Sequence, residues 1–307
     1  MREKSIELRK RRNFSEIIGD FFDFIRMSIK TYAPAWLVYN GIFLLSFIIC
    51  SYLMVTGMIG SIFSHTTGEF DDSSNLYIGF GIIFFVLTFV LAIIVNYSYA
   101  SAFMIKYENE GHQLPEREEV WQMVKSNFGK LFVLVLIIIV VYLISFVANL
   151  ILAFIPVIGF IASIVVSVTL TTWIGLGFVA VLDQNKGVTE ALSDAAGILR
   201  RGYWKCIISN VIGNILMSLA TFVIYIIPGI IVGVITFHIV DTSADYSNAP
   251  GLVILYTVAL FLLIGVYAFV QTLAQFMNVI LYYTIQEESY NYNMQSKIDQ
   301  IGESPQP

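Results

Sequence analysis

Six stretches of this chain, residues 35–62, 76–105, 131–155, 160–182, 206–240 and 250–285, contain no Asp, Glu, Lys or Arg. Each exceeds the roughly 20 residues a helix needs to cross a bilayer core. Charged groups are costly in hydrocarbon, so runs this long without one mark membrane spans. The composition agrees, with 57% hydrophobic and 13% charged residues against about 25% charged in soluble domains. The expected class is an all-α polytopic membrane protein with six transmembrane helices.

The cations orient the spans. Lys and Arg number eight up to Lys30, four between spans 2 and 3, four between spans 4 and 5, and one at Lys297, which accounts for all seventeen. The opposite loops carry Glu69, Asp71, Asp72, Asp241 and Asp245 instead. Cytoplasmic loops hold the excess of Lys and Arg, so both termini are expected in the cytoplasm and the number of spans is even. The first apolar run begins only after Pro34 and has no small-residue cleavage pattern behind it, so it is expected to stay as a span rather than leave as a signal. Cys50 and Cys206 fall near opposite faces and are expected as packed thiols, not a disulfide.

Short amphipathic stretches lie outside the spans. Residues 14–31 place Phe14, Ile17, Phe21, Ile25 and Ile29 at helical spacing. Asn13 with Glu16 three residues on predicts a capping box. Pro115, with Glu116, Glu118 and Glu119 behind it, predicts a helix start because acids favour the positive end of the helix dipole. Val188, Ala191, Leu192, Ala195, Ile198 and Leu199 form a third apolar face. Such helices lie in the interface or dock on neighbours. Pro156 with Gly159 predicts a tight turn between spans 3 and 4, and Pro228-Gly229 predicts that span 5 ends or bends there.

The unit of short helix, basic-aromatic hinge and helical hairpin recurs three times. Its hinges read FIRMSIKTYAPAWL, VWQMVKSNFGKLFV and AAGILRRGYWKCII, with Tyr32, Phe128 and Tyr203 in register. Asn109/Gly111 and Asn185/Gly187 align loosely at the ends of spans 2 and 4. Duplication of one unit accounts for this, and so do the snorkelling anchors that flank many unrelated spans. With the polar end QEESYNYNMQSKIDQIG, this layout resembles uncharacterised six-helix bacterial membrane proteins. These are similar to the membrane domain that precedes the catalytic barrel in some glycerophosphodiester phosphodiesterases. The resemblance implies a membrane module. It transfers no catalytic residue, and no barrel is expected within these 307 residues.

The spans carry uncharged polarity rather than charge. Asn210, Asn214, Ser218, Thr221 and Tyr225 form a stripe in span 5, and Tyr267, Gln271, Gln275, Asn278 and Tyr282 form one in span 6. Tyr142, Ser145 and Asn149 in span 3 and Ser163, Ser167 and Thr171 in span 4 are similar. All are expected to point inward. Either they bond across helices, each contributing about 0.6 kcal/mol, or Asn210, Asn214, Gln271, Gln275 and Asn278 line an uncharged polar cavity between spans 5 and 6. Gly229 and Gly233 suit close packing. Intramembrane pumps and enzymes keep ionisable groups in the bundle, and their lack predicts no catalysis there. His65 and His238 near the outer acids have no metal-ligand spacing, and no nucleotide fingerprint is present. Arg9, Lys10, Arg11, Arg12, Arg200, Arg201 and Lys205 are expected to meet anionic lipid headgroups, at roughly 1 kcal/mol per charge.

The expected layout is a basic tail over 1–13, a six-helix transmembrane domain over 14–286 and a polar tail over 287–307. The spans form three hairpins, each preceded by a cytoplasmic amphipathic helix. The expected role is a non-enzymatic scaffold or accessory subunit of the bacterial inner membrane, with no cofactor, no metal, no nucleic acid and membrane or cytoplasmic protein partners. The alternative is a transporter or lipid-handling protein that uses the polar space between spans 5 and 6.

Overall fold

The computed structural model describes residues 5–67, 72–155, 157–184, 186–242 and 250–291, with the side chains of 62–67, 72, 238–242 and 250 excepted. Among them are eight helices and no strand: α1 Phe14–Thr67, α2 Asp72–Asn109, α3 Arg117–Ser126, α4 Phe128–Leu152, α5 Ile158–Asp183, α6 Val188–Arg201, α7 Tyr203–Thr242 and α8 Pro250–Tyr290. Six of these, all but α3 and α6, are long and apolar enough to cross a membrane. The chain is a multi-pass membrane protein. Its exposed apolar side chains, such as Phe146 and Phe222, suit lipid as solvent. Pro156, Asn185, Glu69, Asp71, Asp245 and Lys297 lie outside the described residues, as do the side chains of His65, Asp72, His238 and Asp241.

Two expected breaks are absent. Residues 14–31 are not a separate helix before span 1, because α1 runs unbroken through Pro34. Nor does span 5 end at Pro228, which sits inside α7. A proline removes one backbone donor and crowds the preceding turn, yet long apolar flanks carry a helix across that loss. The other two hinges do break. Asn127 separates α3 from α4 with φ −103° and ψ 6°, and its amide caps the Met123 carbonyl at 3.0 Å. Gly202 separates α6 from α7 with φ −117° and ψ 34°. Asn and Gly leave helical geometry at low cost, and the first hinge has neither. The capping box does form, with Asn13 N–H on Glu16 Oε2 and Glu16 N–H on Asn13 Oδ1, both at 2.9 Å.

The chain forms two compact units. The first comprises Met1–Ala35, Tyr97–Ile215 and Thr272–Pro307. Its core is aromatic, with Tyr32 packed edge-on against Phe103 at 5.2 Å and Phe276 at 5.0 Å, and Phe24 against Phe276 at 5.1 Å. In this unit α6 lies on α5, where Trp173 Nε1 donates to the Leu192 carbonyl at 3.0 Å. The second unit comprises Trp36–Asn96 and Leu216–Gln271. There Trp36 Nε1 donates to Asn96 Oδ1 at 2.7 Å, and Tyr225 Oη donates to the Leu263 carbonyl at 2.7 Å. Gly57 lets α1 and α2 touch backbone to backbone, since a β-carbon there would lie 2.7 Å from the Ser74 carbonyl oxygen.

Candidate functional site

The first unit holds two polar assemblies, one buried among helices and one at its rim. The buried one begins with Gln275 and Asn278, three residues apart and therefore on one face of α8. Gln275 Nε2 donates to Ser101 Oγ on α2 and to the Gly175 carbonyl on α5, each at 2.9 Å. Asn278 Nδ2 donates to Gln275 Oε1 at 2.9 Å. On α7, Asn210 Nδ2 faces Asn278 Oδ1 at 3.1 Å and Thr172 Oγ1 at 3.2 Å. Gln275 is fully buried, and Asn278 and Asn210 nearly so. Four helices thus exchange amide and hydroxyl bonds without a formal charge. Buried polar groups left unpaired would be costly, so the network closes on itself.

Gly175 makes this possible, because the Asn278 and Gln275 side chains occupy the space that a β-carbon would take. Two of the five expected amides stand apart from the network. Asn214 is exposed and Gln271 half-buried. On α4 and α5, Asn149 accepts a bond from Ser163 Oγ at 2.6 Å, whereas Tyr142 is 45% exposed. An apolar groove of about 490 Å³ runs beside Tyr142, Ser145, Asn149 and Ser167.

The rim is built by residues 5–13, which have no helix of their own and form a strap. Ile6 N–H donates to Tyr107 Oη at 2.9 Å and Leu8 N–H to Glu108 Oε2 at 3.0 Å. Ile6 and Leu8 are buried. Arg12 is 3% exposed. Its guanidinium donates to Asp20 at 2.7 Å, to the Leu8 and Lys10 carbonyls at 2.7 and 3.0 Å, to Thr284 Oγ1 at 3.1 Å and to the Glu7 carbonyl. Lys205 donates to the Arg12 carbonyl at 2.9 Å and pairs with Glu288. Arg9 lies over the Tyr283 ring at 4.7 Å, near Glu108 at 3.7 Å and Asp183 at 3.9 Å. Arg11 bonds Asn291.

The cations expected on lipid therefore divide. Arg12 is enclosed by protein, Arg9 and Lys205 are held by carboxylates, and Lys10, Arg11, Arg200 and Arg201 are exposed. No family model, no curated protein and no solved structure matches the chain.

Asp183 is the acceptor at the centre of the rim. Tyr283 Oη donates to it at 2.8 Å and Tyr282 Oη lies at 3.4 Å, while Gln184 Nε2 donates to Tyr282 Oη at 2.7 Å. Beside it opens a polar cleft of about 320 Å³, bounded by α6, the ends of α5 and α8, and the strap. Sequence reasoning took neither Asp183 nor Glu108 as a partner for the basic run. The available signal was an acid at the polar end of each of two apolar runs, facing a strongly basic N-terminus. Among the described residues, no group of His, Cys, Asp and Glu is placed to hold a metal ion.

Outside the spans, Arg117 bonds Glu118 at 2.6 Å and holds its carboxyl below the ordinary range. Glu119 is pushed up by its hydrogen bond to the Glu110 carboxyl and the charge there.

Proposed function

We propose that the chain is a non-enzymatic scaffold or accessory subunit of a bacterial inner membrane. The supporting observation is that Gln275, Asn278 and Asn210 bond to one another and to Ser101, Gly175 and Thr172. Amides spent on each other hold helices in register rather than contact a solute. In this layout α1–α2, α4–α5 and α7–α8 are three hairpins with both termini cytoplasmic, α3 and α6 lie along the cytoplasmic interface, and one duplicated unit underlies all three, its first short helix merged into α1. Lys10, Arg11 and Arg200 meet anionic headgroups there. The polar rim around α6 presents a fixed surface to protein partners.

Affinity capture of the full chain from its native membranes tests this, with recovery of a stoichiometric partner as the expected result. The transport or lipid-handling reading draws on the exposed amide of Asn214. If Asn214→Leu with Gln275→Leu leaves folding intact but abolishes solute uptake or lipid transfer, the scaffold assignment is wrong.

A further inference from the structure

We propose that the rim cleft binds a small phosphate monoester, anchored by Arg201. The cleft encloses about 320 Å³ and is lined by three cations, Arg9, Lys186 and Arg201, and two carboxylates, Asp183 and Asp194. Such a volume lies at the lower end of small-molecule sites. Both carboxylates are already engaged. Asp183 accepts from the two tyrosines, and Asp194 pairs with Lys186 at 2.5 Å. Arg201 has no carboxylate partner among the described residues, and its guanidinium lies over the Tyr290 ring at 4.6 Å.

A guanidinium over an aromatic ring is attracted by the ring face and keeps its N–H donors for other partners. The contact holds the guanidinium beside the cleft, and a guanidinium can take an oxyanion through two bonds. Ser193 and Gln286 add uncharged donors to the wall. This supply exceeds what two carboxylate oxygens would use and suits the oxygens of a phosphate. Gln184 Oε1 is buried without a hydrogen-bond partner, which suits a protonated ligand oxygen. The phosphate can belong to a soluble ester or to a phosphatidic-acid headgroup. The inference goes beyond the scaffold role, and neither depends on the other.

The test uses the full chain in phosphatidylcholine nanodiscs, with inorganic phosphate titrated against chloride at equal ionic strength and the unfolding midpoint as readout. The expected result is a saturable rise in the midpoint. Arg201→Gln weakens the apparent affinity about tenfold or more, in line with loss of a charge-assisted pair. Arg201→Lys fails to restore it, and Asp194→Asn, which removes a negative charge from the cleft wall, tightens it. A second arm replaces part of the lipid with phosphatidic acid and omits phosphate. A midpoint rise in that arm alone, lost in Arg201→Gln, assigns the site to a headgroup, and a rise in the phosphate arm alone assigns it to a soluble ester. Equal responses of wild type and Arg201→Gln in both arms, or no response in either, overturn the proposal. Should Arg201→Gln fail to fold, Asp194→Asn decides, and unchanged or weaker binding overturns the site.

Discussion

Gly175 and Asn278 share one volume: the side-chain amide of Asn278 fills the position that a β-carbon on Gly175 would take. Gly175→Ala must therefore displace an amide held on both sides by hydrogen bonds. The expected loss is about 2 kcal/mol, within the usual range for overpacking. Gly202→Ala is the matched control, because the atoms it would meet belong to the apolar side chain of Ile285, with no hydrogen bond to break. Thermal unfolding in detergent should show a clear drop for Gly175→Ala and a smaller one for Gly202→Ala.

Gln275→Leu removes both donors to Ser101 and Gly175 and the acceptor for Asn278. The expected cost is about 1–2 kcal/mol, the upper part of what intramembrane hydrogen bonds contribute. Asn214→Leu replaces an exposed amide and should leave stability within about 0.5 kcal/mol. In the double variant the loss should equal that of Gln275→Leu alone. A loss of similar size from Asn214→Leu would place that amide in a packed contact.

Arg12→Met should release the strap. It strands the Leu8 and Lys10 carbonyls and the Asp20 carboxylate. Asp20 is 23% exposed and recovers some hydration, so the expected cost is about 2 kcal/mol rather than the larger penalty of a fully enclosed pair. Hydrogen exchange provides the local readout. The Ile6 and Leu8 amides should exchange much faster in Arg12→Met, while those of the Asn210–Asn278 region stay protected.

Glu119 and Glu110 predict a pH dependence. The folded-state pKa of Glu119 is raised, so the native state binds more protons than the unfolded chain between the ordinary and raised values. Stability then falls as pH rises through that window. Glu119→Gln should remove the fall and shift the unfolding midpoint up at neutral pH relative to wild type. An unchanged pH profile in Glu119→Gln would show that the two carboxylates do not interact in solution.

Topology has a direct check. A cysteine in place of Ser193 should react with a membrane-impermeant thiol reagent only in inside-out vesicles. A tag inserted after Asp245 should be reached only from the opposite side.

Much of the architecture was legible in the residues. Charge-free runs set the six spans because ionised groups are costly in lipid, and Asn13 with Glu16 marked the start of α1. The inward stripe on α7 was legible only in part. Asn210 and Thr221 are eleven residues apart and return to within about 20° on the helix, whereas Asn214 and Ser218 stray by about 40° and 80°. Only the first two are buried. A ladder of i+4 steps drifts off a narrow interface, so spacing alone overstated its width. Pro228 also misled as a possible end of span 5, since a missing donor weakens a helix without ending it. The destination of Arg12 was beyond local pattern, because Thr284 lies 272 residues away.

That separation bears on biogenesis. At about 5–20 residues per second of translation, roughly a quarter of a minute to a minute passes between synthesis of Arg12 and emergence of Thr284. Throughout that interval the guanidinium lacks part of its final surroundings, and a nascent chain arrested before α8 never acquires them. Completion of the last helix thus adds the final partners of the first residues, Thr284 for Arg12 among them, to those at Asp20, Tyr107 and Glu108 that emerge much earlier.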